Sequence, residues 1–229
     1  MHKARTPWSM KDVLVGIGLN VAAIVLLTVV VRQVLLFLGL PQGEQPPGLP
    51  TTAIDNLSLL APVWIICVKW RGGTLADLGL LKPTTRGLVI GASLGIIFFA
   101  LSSALFMALA NTNQLSVAYA APPSDEASFP LATVFLAGLV TPFSEELFYR
   151  GFAYAGFRKR APFRVASAGS ALLFGAMHLD LIVLAPFALF GYVLARLYEE
   201  HSSLWPSVVA HSAVNLAVVY VQIILIGRG

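Results

Sequence analysis

Seven stretches of this chain are apolar for long enough, or nearly so, to cross a lipid bilayer, and no water-soluble core accommodates that many. They run over about 13–38, 52–69, 87–110, 129–158, 164–178, 181–197 and 203–226. A spanning helix needs about 20 mostly apolar residues. Backbone polar groups inside a bilayer find no water, so such stretches must satisfy themselves as helices. Composition agrees: 57% of the 229 residues are hydrophobic and 11% are charged, against roughly 25% charged in a soluble domain. The expected fold is all-α, a polytopic membrane bundle of about seven helices forming one integral domain over residues 1–229.

Lys3, Arg5 and Lys11 precede 19 uncharged residues, Val13 to Val31. That run exceeds the ~7–15 residues of a cleavable signal core, so a retained first helix is expected. A Pro/Gly-rich loop follows over Pro41–Pro50. In the third stretch Gly87, Gly91 and Gly95 recur every four residues, a small-residue face that lets helices approach closely. Cys67 is the single cysteine, so no intrachain disulfide can form.

The loops give an orientation. Lys69, Arg71, Lys82 and Arg86 lie between the second and third stretches, and Arg158, Lys159, Arg160 and Arg164 between the fourth and fifth. The intervening loops lack Lys and Arg; the third carries only Asp125 and Glu126. Arg196 opens the last connection. The positive-inside rule then predicts a cytoplasmic N-terminus and an external C-terminus, with Arg32 and Arg228 as mild exceptions. The net charge of +4 fits basic cytoplasmic loops. No basic run is interleaved with aromatics, so the implied partner is the bilayer and not nucleic acid.

Against this apolar background, Ser144-Glu-Glu-Leu-Phe-Tyr-Arg-Gly151 is anomalous. Ionisable groups inside membrane spans are costly and mark function by default. Glu146 and Arg150 are four apart and share a helix face, so they form the natural ion pair. Glu145 points about 100° away on a 3.6-residue helix and is left free, the candidate general base. Pro142 removes a backbone donor just before the pair and is expected to kink the helix. His178 ends the fifth stretch after a run of small residues. His211 and Asn215 are four apart on the seventh. They either donate to a developing oxyanion or hydrogen-bond between helices. By helical rise, Glu145, His178, His211 and Asn215 all lie roughly 13–21 Å from the basic ends. The connection at Asp180 is too short to cross a headgroup layer and is expected to turn inside a cavity. Glu145, Glu146, His178 and His211 also suit zinc as ligands. No His-Glu-x-x-His is present and Glu146 is committed to Arg150, so no cofactor or metal is expected, with zinc the alternative.

Glu145-Glu146-x-x-x-Arg150, Phe174-x-x-x-His178 and His211-x-x-x-Asn215, in that order on successive apolar helices, resemble the CAAX protease and bacteriocin-processing family. This family, also called CPBP or Abi, includes the Rce1-type (CAAX prenyl protease 2) enzymes. The resemblance covers about residues 129–220. It implies an intramembrane glutamic endopeptidase in which Glu145 and His178 activate water and His211 and Asn215 stabilise the oxyanion. Glu146 and Arg150 belong to the same motif as structural support. The implied partner is a membrane-associated peptide or protein, lipidated if it is CAAX-like. A non-catalytic bacteriocin-immunity or scaffolding protein is the alternative. A proton-coupled transporter is a third reading, for which inverted repeats are missing.

Overall fold

The computed structural model describes residues 6–39, 48–110, 130–178 and 181–226. Among these residues there are seven helical rods and no strand. They are α1 (Met10–Phe37), α2 (Gly48–Val63, prolonged through Trp64–Trp70), α3 (Thr85–Ala110), α4 (130–158), α5 (Phe163–Ala176), α6 (Leu181–His201) and α7 (Trp205–Ile226). Six are long and apolar enough to cross a membrane. Helix α5 has 14 residues, about 21 Å of rise, short of the roughly 30 Å hydrocarbon core. The chain turns at Met177–His178 instead of continuing, so α5 is shorter than a full span. Asp180, the loop acids Asp125 and Glu126, and residues 41–47 of the Pro/Gly-rich loop lie outside the described residues.

The outward faces are those of a protein solvated by lipid. Leu26, Ile96 and Leu189 each stay more than half exposed. The inward faces are aromatic and small. The four-residue glycine spacing of α3 forms a seam with α7: a Cβ on Gly91 or Gly95 would run into the carbonyls of Pro206 and Ala210. Helices α5 and α6 form a second close pair, where a Cβ on Gly175 would sit 2.8 Å from Leu184 O.

The chain before α1 is anchored. Trp8 is fully buried and its Nε1 donates to Phe152 O at 3.0 Å. Asp12 accepts from Ser9 N and Oγ at 2.7 and 2.8 Å, and from Arg71 Nε at 3.0 Å. The start of α1 is thereby fixed to both α4 and the basic linker after α2.

Helix α4 is not a uniform α-helix. It widens into π-helical turns over Leu136–Val140 and again over Leu147–Tyr154, with an ordinary segment, Thr141–Glu146, between them. Pro142 sits at the junction of the first pair, in keeping with its missing N–H. Such wide turns recur at functional sites, and here they bracket both adjacent glutamates.

Candidate active site

The two glutamates occupy different environments although they are neighbours in sequence. Glu146 is fully buried, and its Oε1 accepts from Arg150 Nη1 at 2.7 Å. Arg150 is held from three further directions. Nη2 donates to Gly191 O on α6 at 3.2 Å, and the guanidinium lies 4.6 Å from the Phe174 ring and 5.8 Å from that of Tyr149. Any side chain at Gly191 would press on Arg150 and Phe174, its Cβ falling 3.1 Å from Nη2 and 3.2 Å from the ring. The Glu145 side chain keeps 21% of its surface exposed and lies 3.6 Å, Oε2 to Nε2, from His211.

His211 bridges the pair. Its Nδ1 is 2.9 Å from Glu146 Oε1. An ionised carboxylate only accepts, so Nδ1 carries the proton and Nε2 faces Glu145. Of the two readings open to His211, the interhelical hydrogen bond is the one present, to Glu146 on α4.

His178 is fixed by its own helix end. Nδ1 lies 3.0 Å from Phe174 O, and the ring stacks on Phe187 with centroids 4.0 Å apart. A carbonyl only accepts, so Nδ1 donates and the Nε2 lone pair is left for other work. Phe174 ties the two histidines together. Its ring meets His178 at 5.2 Å and His211 at 5.6 Å, both edge-on. The sequence motif contains Phe174 but gives it no task. The only signal in the sequence was an aromatic one turn before a histidine; its burial is seen only in the structure.

Asn215 is engaged elsewhere than on its helix neighbour His211. Its Nδ2 donates to Ala137 O at 2.9 Å. The backbone explains why. In the first wide segment the Thr141 N–H reaches Leu136 O. The next bond in that register would run from residue 142 to Ala137 O, and Pro142 has no N–H to give. A buried carbonyl left without a donor is costly, and the Asn215 amide supplies one. One N–H of the Asn215 amide is used there and a second remains.

Among the described residues, no group of three or more His, Cys, Asp or Glu is arranged to hold a metal ion. Glu145, Glu146 and His211 do meet, but Glu146 Oε1 and His211 Nδ1 are spent on each other and on Arg150.

Comparison with known proteins shows what this region resembles. Residues 127–217 match the family model described as type II CAAX prenyl endopeptidase Rce1-like. A protein of Bacillus subtilis (strain 168), YdiL, named as a candidate membrane peptidase, is 28% identical over 90 residues. The UPF0177 protein YxdF of Lactococcus lactis subsp. lactis (strain IL1403) is 26% identical over 87 residues. These matches cover 39% and 38% of this chain, and 37% and 48% of those proteins. No solved structure matches the chain. All seven motif residues fall inside the matched segment, and residues 127–217 are similar to the type II CAAX prenyl endopeptidase Rce1-like family.

Proposed function

We propose that the protein is an intramembrane endopeptidase that hydrolyses a peptide bond with water activated by Glu145. One observation carries the proposal. Of two adjacent carboxylates, Glu146 is sealed by Arg150 and His211, while Glu145 is left partly open beside His211 Nε2. Glu145 takes a proton from water as the oxygen bonds to the peptide carbonyl carbon. The C–N bond of the tetrahedral intermediate then breaks, and the same proton passes to the leaving nitrogen. His178 Nε2 accepts a hydrogen bond from the attacking water and aims it. His211 and the second N–H of Asn215 donate to the oxyanion. For His211 this requires a proton on Nε2 as well as on Nδ1. Similarity to the Rce1-like family supports CAAX-like C-terminal peptides or other membrane-associated peptides as substrates, prenylated in the CAAX case.

The purified protein in liposomes should cut membrane-associated peptides at a defined bond, read by mass spectrometry. A folded protein that cuts none of them would favour the non-catalytic immunity or scaffolding alternative. The proposal also makes catalysis metal-independent: activity should survive exhaustive chelation. Chelator inactivation reversed by zinc would put Glu145, Glu146, His178 and His211 to work as ligands instead.

The proposed orientation has the N-terminus in the cytoplasm and the C-terminus outside. In a Cys67→Ser background, a cysteine at Gln42 should label with an impermeant reagent from outside, and one at Arg160 only from inside. Outside labelling at Arg160 would reverse the bundle.

A further inference from the structure

A third carboxylate, Asp55, faces the region of Glu145 from α2. It is an ionisable residue inside an apolar span, which is costly unless used. The phase of α2 shows where it points. Leu59, Pro62, Val63 and Ile66 share its helix face at four, seven, eight and eleven residues on, and all are buried. The lipid-facing stripe, Leu57, Ala61 and Trp64, lies on the opposite side and is exposed. Asp55 is exposed on the inward stripe, so it opens into the bundle interior and not into lipid.

Two hydrogen bonds set this rotation from either side. Asn56 Nδ2 donates to Thr141 Oγ1 on α4 at 3.0 Å, and Ser58 Oγ accepts from Asn20 Nδ2 on α1 at 2.9 Å. On the helix wheel Asp55 lies between Asn56 and Ser58, and therefore aims into the angle between α4 and α1. Thr141 is one turn before Glu145 on the same face of α4. Among the described residues no Lys, Arg or His pairs with Asp55. The cation that could neutralise this region, Arg150, is buried against Glu146. Asp55, Glu145 and Glu146 thus set three formal negative charges against Arg150 and, when His211 carries both ring protons, one further positive charge.

We infer that Asp55 is a specificity-determining residue that receives a basic side chain of the substrate, a lysine or arginine close to the scissile bond. This inference rests on the peptidase activity proposed above. Charges of one sign gathered between low-dielectric helices concentrate the opposite charge, and an unpaired carboxylate among them is satisfied by a ligand cation that brings its own donors. An acidic residue in the same place would meet like charges and be rejected.

The test uses the full-length protein in liposomes and apolar peptides. A single Lys, Gln or Glu is moved in turn through four positions on each side of the cleaved bond. Wild type should favour Lys over Gln by about tenfold or more in kcat/KM at one position, mainly through KM, and should disfavour Glu there. Asp55→Asn should bring the Lys/Gln ratio at that position close to one, and Asp55→Lys should favour Glu. Because each ratio is taken within one variant, partial misfolding cancels. If wild type cuts peptides without any preference for Lys, or if Asp55→Asn slows Lys and Gln peptides by the same factor, the inference is wrong. If wild type cuts no peptide at all, the peptidase activity itself is wrong.

Discussion

Glu146→Gln is expected to cost roughly 3–5 kcal/mol of stability, because it leaves the fully buried Arg150 without its counter-charge. Arg150→Gln should cost a similar amount, since it strands Glu146 in the same dry pocket. The double variant Glu146→Gln/Arg150→Gln should be less unstable than the sum of the singles, because no net charge is then buried. Activity should behave differently. Glu146 Oε1 also holds His211 Nδ1 at 2.9 Å, and a Gln oxygen on a neutral side chain holds an imidazole N–H less strongly than a carboxylate does. The double variant should therefore recover part of its stability without recovering turnover. A double-mutant cycle on thermal unfolding in detergent, with peptide cleavage measured on the same samples, separates the two effects. Strictly additive stability losses would mean that the pair does not hold the core of the site.

The bundle was legible because its signal is coarse. Apolar runs of bilayer length leave the backbone no option but helix, and six of the seven stretches are full spans. The exception, α5, reads as apolar like the others. Its stop at Met177 is a turn whose position the run of small residues does not mark. The Glu146–Arg150 spacing names an ion pair, and one is present. Spacing also set Glu145 apart from Glu146, but it could not show that His211 reaches both, since that depends on where α7 crosses α4.

Asn215 illustrates a different limit. Its four-residue spacing from His211 left two uses open, donation to an oxyanion or a hydrogen bond between helices, and could not choose between them. The wide turns of α4 changed the register, Pro142 left Ala137 without a donor, and one Asn215 N–H was consumed. Asp55 is illegible for a third reason. A lone carboxylate forms no spacing motif, and its meaning appears only when the burial of Leu59, Val63 and Ile66 fixes the phase of α2.

The central claim is that Glu145, and not its neighbour, activates the water. Glu145→Gln keeps the size of the side chain and removes the base. Glu145 makes no ion pair with Arg150 and is already a fifth exposed, so the variant should fold and bind peptide nearly as wild type does. Loss of a general base lowers rates by about 10²–10⁴-fold, and the adjacent carboxylate cannot replace it, since Glu146 is sealed by Arg150 and His211. The decisive measurement is single-turnover cleavage of one peptide by wild type and Glu145→Gln, reconstituted side by side, with thermal stability and peptide affinity determined for both. The expected result is a loss of at least about a hundredfold in the cleavage rate with stability and affinity preserved. Substantial cleavage by a folded Glu145→Gln protein would contradict it.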